Sequence, residues 1–136
     1  MGIEAIGDGL KTTISISGLK VYALKELPDK VTPPVAIIVL GETVYHDTFG
    51  SSPYNADITL RVIILLGKAD LPSAANRMLD YIEPGGSSSI AKEVETDPTL
   101  NSSCQAAIVT RNLGLGVTNW GGMDYLSTEF EIAVWS

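Results

Sequence analysis

Four groups of residues have types that could do chemistry: the adjacent pair His46-Asp47, the single Cys104, the carboxylates Glu129 and Glu131, and the glycines around Trp120. A carboxylate that orients an imidazole makes a general base. The segment 43–49 reads as a strand, however, and a strand sends neighbouring side chains to opposite faces, so His46 and Asp47 are expected to sit on a surface strand. Cys104 begins the run Cys104-Gln105-Ala106-Ala107-Ile108-Val109, where a thiol acts as a small buried hydrophobe. One Cys and one His make neither an internal disulfide nor a zinc ligand set. Glu129 and Glu131 lie on one strand face about 7 Å apart, given a rise of ~3.3 Å per residue. That spacing could suit a glycosidase or a cation site, but no further acid is convincingly placed beside them, and a solvated or lumen-facing strand surface is the expectation. Gly114-Leu115-Gly116 and Gly121-Gly122 match neither the dinucleotide fingerprint nor the phosphate-binding loop with its Lys-Ser/Thr ending. No catalytic, metal or cofactor set is expected. Trp120 in a glycine-rich loop and the near-terminal Trp135 are instead candidate contact anchors, because large aromatics are favoured at protein interfaces.

The elements that must position these residues come from one chain of 136 residues, enough for a single domain over 1–136 that buries its own core. Nine Lys and Arg against sixteen Asp and Glu give a net charge of −7, which argues against a surface that grips nucleic acid. The start of the chain has no basic segment followed by an apolar run, and nothing later approaches the ~18 apolar residues that span a bilayer, so a soluble, non-exported protein in a reducing compartment is expected.

Ile3, Ile6, Leu10 and Ile14 recur at helical spacing, which predicts a helix over 3–14 that Gly7 and Gly9 weaken. Residues 20–24 read as a short strand. Pro33-Pro34 suits a chain joining a sheet, and 35–40 as a strand buried on both faces. Gly41-Glu42 reads as a turn before the strand 43–49, and Gly50-Ser51-Ser52-Pro53 as the tip of a hairpin into the strand 57–66. Asp70-Leu71-Pro72-Ser73 carries helix-start chemistry ahead of the stripe Ala74, Ala75, Met78, Leu79 and Ile82. Serines 87–89 cap a short helix through Val94, closed before Asp97-Pro98. Strands over 103–113 and 124–135 close the chain, joined by the glycine-rich loop. Leu126, Thr128, Phe130, Ile132 and Val134 take one face of the last strand, and Ser127, Glu129 and Glu131 the other. This order predicts an α+β fold, an antiparallel or mixed sheet with helices packed on one face.

Several phrases in order, Pro33-Pro34-Val35-Ala36, Tyr45-His46-Asp47-Thr48-Phe49-Gly50, Asp97-Pro98-Thr99-Leu100, and Gly121-Gly122-Met123-Asp124-Tyr125-Leu126 with Glu129-Phe130, resemble the tail terminators of long-tailed bacteriophages, especially those of actinobacterial phages and prophages. The resemblance covers most of the chain and contains no catalytic signature. It implies a fold like that of the lambda tail terminator and a homohexameric ring, assembled in the bacterial cytoplasm and carried in the virion. Such a ring caps the tail tube at its head-proximal end, stops tube growth and presents the surface that joins the head. The implied partners are further copies of the chain, the tail tube protein and a head-tail connector or neck protein, with DNA passing through an acidic lumen without specific binding. A connector, neck or tube protein of similar fold is the near alternative; a small enzyme or a monomeric ligand-binding module is a more distant one. Function in such a family is spread over interfaces, for which Trp120, Tyr45, His46, Phe49, Glu129, Glu131 and Trp135 are the candidate residues. The last strand or the strand 43–50 is expected at a sheet edge that recruits a neighbour.

Overall fold

The computed structural model describes residues 3–16, 18–45, 56–68, 76–86 and 88–135. The helical periodicity at the start of the chain becomes α1 (Ile3–Thr13), and its apolar stripe supplies Ile6 and Leu10 to the core, with Ile14 just beyond. The two glycines have packing reasons. A Cβ on Gly9 would stand 2.1 Å from the Leu100 carbonyl oxygen, and one on Gly7 would stand 2.9 Å from the Leu24 side chain. Close approach therefore compensates the helix propensity that glycine forfeits.

β1 (Lys20–Tyr22) lies parallel to β2 (Val35–Tyr45), which follows Pro33-Pro34 directly. β2 pairs antiparallel with β3 (Ala56–Lys68) through Tyr45 opposite Ala56; the turn expected at 50–53 lies outside the described residues. Gly41-Glu42 is not a turn. β2 continues through it, and the register slips between Leu40, opposite Leu60, and Thr43, opposite Ile58, so the two residues form a bulge against Thr59. Val35 to Ile38 are buried as an interior strand requires, but Leu40 is exposed, so the burial expected on both faces fails at that end.

α2 (Arg77–Ile82) contains the predicted Met78, Leu79 and Ile82, while the start expected at Asp70 lies outside the described residues. Leu79 points to solvent. α3 (Ile90–Thr96) begins where the serines predicted: the Ser89 hydroxyl accepts the Lys92 N–H at 3.1 Å, and Ile90 and Val94 are buried.

β4 (Ala106–Trp120) and β5 (Met123–Trp135) form a long antiparallel hairpin. The glycine-rich segment expected as a loop is mostly strand, and the turn shrinks to Gly121-Gly122, with φ of 61° and 83°. Two left-handed residues in succession make the tight hairpin turn that matches strand twist, which is why two glycines stand there. The sheet order is β1-β2-β3-β5-β4, mixed because only the β1-β2 pair is parallel. β5 is thus an interior strand, which corrects the expectation that the last strand forms an edge. The hairpin docks on β3 through β5 and leaves β4 outside.

Alternation divides the core between the two sheet faces. On one face Ala36, Ile38, Leu60, Val62, Ile64, Phe130 and Ile132 pack against Ile6, Leu10, Ile90 and Val94 of the helices. On the other, Val35, Ile37, Leu65 and Tyr125 form a smaller cluster joined by Tyr22, Val31 and Trp120. The fold is α+β, with a mixed sheet and helices packed on one face.

Candidate functional site

The helix-free sheet face has a covered end and an open end. At the covered end the indole of Trp120 donates its Nε1–H to the Pro28 carbonyl oxygen at 2.8 Å, fastening the tip of the β4-β5 hairpin to the chain that leads into β2. Gly121 closes the same junction, since a Cβ there would stand 2.6 Å from the Asp29 carbonyl oxygen. Trp120, expected to be the leading contact residue in a loop, is a half-buried strand residue committed to an internal contact. Trp135, at the opposite end of the hairpin, is 44% exposed.

The open end is a shallow depression floored by Thr59, Arg61, Glu129 and Glu131 and rimmed by Glu42, Arg111 and Leu113. Strand alternation puts Glu129 and Glu131 together on this face as the sequence predicted, and the neighbouring strands supply their partners. Arg61 on β3 donates from Nη2 to Glu129. Arg111 on β4, directly opposite Glu131, donates from Nε at 2.7 Å and from Nη2 at 3.0 Å to its two oxygens. This two-pronged contact holds the Glu131 carboxyl below, and the Arg111 guanidinium above, its ordinary pKa. The acids expected on a solvated or lumen-facing surface are thus locked in cross-strand ion pairs. Arg61 in the middle of β3 and Arg111, the single charge of β4, were the signal for these pairs in the sequence.

Beside this face runs the outer edge of β4, with no strand against it among the described residues. Two bulges interrupt its pairing with β5, and local side chains satisfy the gaps. Thr110 donates its hydroxyl to the Glu131 carbonyl oxygen at 3.0 Å. Asn112 donates to Thr128 Oγ1 at 2.7 Å while its Oδ1 accepts the Gly114 N–H at 2.8 Å. Beyond the second bulge, Leu115 to Trp120 run in unbroken register to the turn. Along the strand Ile108, Leu113 and Leu115 are each about half exposed, and Val117 is 63% exposed. Leu115 and Val117 went unnoticed in the sequence because glycine was read there as loop, whereas Ile108 and Leu113 fell within the expected strand 103–113.

The remaining candidates do not converge. Cys104 is half-buried next to β4, and burial first, then the charge of Asp97, push its thiol pKa up, away from a reactive thiolate. His46, Asp47 and Phe49 lie outside the described residues, and Tyr45 is placed by its backbone at the end of β2. Asp97 is built into the fold: its Oδ2 accepts the Thr13 hydroxyl at 2.9 Å and the Asn101 N–H at 2.8 Å. Among the described residues no group of three His, Cys, Asp or Glu could hold a metal ion, and no helix is long and apolar enough to cross a membrane. No protein-family model matches the chain, and no curated protein matches it.

Proposed function

We propose that this protein is a structural component of a bacteriophage tail, a tail terminator that works as a ring built through the open edge of β4. The observation that carries the reading is that edge: fifteen residues long, with a single charge, and lined by Ile108, Leu113, Leu115 and Val117. Soluble proteins blunt such edges with lysine, proline or a covering segment, because free backbone donors and acceptors recruit another strand. Here the bulges protect the middle, and the stretch from Leu115 to Trp120 remains regular and uncharged.

The phrases that resemble phage tail terminators support the same reading. Pro33-Pro34-Val35-Ala36 leads the chain into β2, Asp97-Pro98-Thr99-Leu100 forms the turn packed on α1, and Gly121-Gly122 turns the hairpin. In this role a ring, six copies in the lambda-like form, caps the tail tube, ends its growth and offers its far side to the neck. A net charge of −7 on every copy would let DNA pass without adhering. The activity is assembly, with no cofactor, and its place is the virion.

The test is to add purified protein to tail tubes of the phage or prophage that encodes it, and to measure its mass in solution alone. A terminator gives closed rings of fixed number and short caps at one end of each tube. Long fibres from the protein alone would instead identify a tube subunit. A chain that stays monomeric and ignores tubes would end the reading.

A further inference from the structure

We infer that the regular end of the β4 edge pairs antiparallel with the free outer half of β2 in a second copy of this chain, with Val117 opposite Leu40. The pairing rests on the ring reading above and specifies the contact that would build it. Besides the three-residue outer side of β1, the sheet among the described residues has two places where a strand can be added. One is the β4 edge. The other is β2 after Ile37, because β1 covers only Val35 to Ile37 and leaves Ile38 onward without a strand neighbour on that side among the described residues.

Strand direction decides how these edges meet. β1, β2 and β5 run one way, and β3 and β4 the other. Copies related by rotation about an axis roughly along the strands keep those directions, so the β4 of one meets the β2 of the next antiparallel. That contact uses two different patches and therefore propagates from copy to copy until the rotation closes.

Side-chain faces then choose the register. Leu40 lies opposite Leu60 and shares the helix-side face, and Val117 lies opposite Leu126 on that same face. They are 44% and 63% exposed, respectively. Setting them opposite each other places Asn119 across from Ile38, the first position β1 leaves free, so the added ladder ends where β1 begins. No like charges meet in this register: Leu115 to Asn119 carry none, and the one charge on the free half of β2, Glu42, falls opposite Leu115. A strand from an unrelated protein would have no reason to fit between β1 and the Gly41-Glu42 bulge.

The experiment places single cysteines at Leu40 and Val117 in a full chain carrying Cys104→Ser, and treats the proteins with a short bismaleimide. Leu40→Cys mixed with Val117→Cys should give a cross-linked dimer, each alone should give none, and a chain carrying both should give a ladder ending at the ring number. Val117→Lys should raise the concentration needed for assembly about tenfold or more, while Leu79→Lys, equally exposed on α2, should not. Circular dichroism verifies that each variant is folded. Dimers from Val117→Cys alone would reveal a two-fold β4-β4 contact and overturn the inference. Rings that form without the mixed cross-link would overturn it too and leave the ring reading standing, whereas a chain monomeric at every concentration would overturn both.

Discussion

Replacing Gly9 by Ala sets two effects of opposite sign against each other, and the structure says which wins. In an exposed helix the change would stabilise by up to about 1 kcal/mol, since alanine has the better helix propensity. Here the new Cβ would lie 2.1 Å from the Leu100 carbonyl oxygen and 2.5 Å from Ser103 Oγ, where carbon normally keeps ~3.5 Å or more. The neighbours cannot yield cheaply. Leu100, Asn101 and Ser102 all have positive φ, of 48°, 59° and 62°, so the loop already holds a conformation costing about 1–2 kcal/mol per residue. The Leu100 side chain is fully buried, and its carbonyl oxygen accepts the Ser103 hydroxyl at 2.6 Å. Overpacking of this kind costs about 1–3 kcal/mol, and losing that hydrogen bond about 1 more. After the propensity gain, the net loss is about 2 kcal/mol. For a chain of 136 residues an unfolding entropy of ~2.1 cal/mol/K per residue converts this into a fall in Tm of about 7 °C.

The assay is thermal and urea unfolding of Gly9→Ala at one fixed protein concentration, because self-association would itself shift the midpoint. Gly7→Ala is the comparison. Its Cβ meets the Leu24 side chain at 2.9 Å, which can change rotamer, so its change in stability should stay below about 1 kcal/mol. If Gly9→Ala were as stable as the parent, the turn at 100–102 would not be seated on α1, and the packing argument would fail.

Gly121→Ala should destabilise more than Gly122→Ala in the same unfolding assay. Both face the left-handed penalty of about 1–2 kcal/mol, but Gly121 also meets the Asp29 carbonyl oxygen at 2.6 Å, whereas Gly122 has open space. Trp120→Phe should cost about 1 kcal/mol by removing the donor to the Pro28 carbonyl, and faster hydrogen exchange at the hairpin tip should accompany the loss. Asp97→Asn should reduce the dependence of stability on acid pH. The Asn101 N–H and then the Thr13 hydroxyl hold the folded Asp97 pKa below its ordinary value of 3.8. Its contribution is therefore complete above the unfolded pKa and lost as pH falls through the folded one, so the parent and variant unfolding midpoints should converge below about pH 4. Glu26 and Glu131, also lowered, leave a residual slope in both proteins.

Much of this fold was legible because burial writes itself into periodicity. The 3.6-residue spacing of Ile6, Leu10 and Ile14 and the strict alternation from Leu126 to Val134 each mark a face that the core requires. The misreadings share one cause: glycine and its polar neighbours punctuate a chain without saying how. Gly41-Glu42 has the composition of a turn, but β3 continues opposite both sides of it, and a partner strand is what makes the same residues a bulge. Gly114 and Gly116 likewise sit in strand, carried by the ladder to β5. Strand order was hidden for a related reason, since chain order places β4 and β5 together but does not say which of them meets β3. The clue was composition. β5 alternates cleanly, as a strand paired on both sides does, while β4 mixes glycine, bulges and one arginine, as edge strands do.

The same difference between β4 and β5 bears on the site. The carboxylates that first invited a catalytic reading belong to the interior strand, and interior position is what gives each an arginine from the strand alongside. Paired within the sheet, they stiffen the open face, and neither is a lone charge aimed at a substrate. The apolar residues that sequence pattern obscured belong to the edge, where no strand consumes the backbone's hydrogen-bonding groups among the described residues. A charged pair that is internally satisfied has little left to offer a ligand, while an edge with free backbone and exposed Leu115 and Val117 has both bonding capacity and area to give. The place to look for this protein's activity is therefore the rim of its sheet, and a strand is the kind of partner that rim can hold.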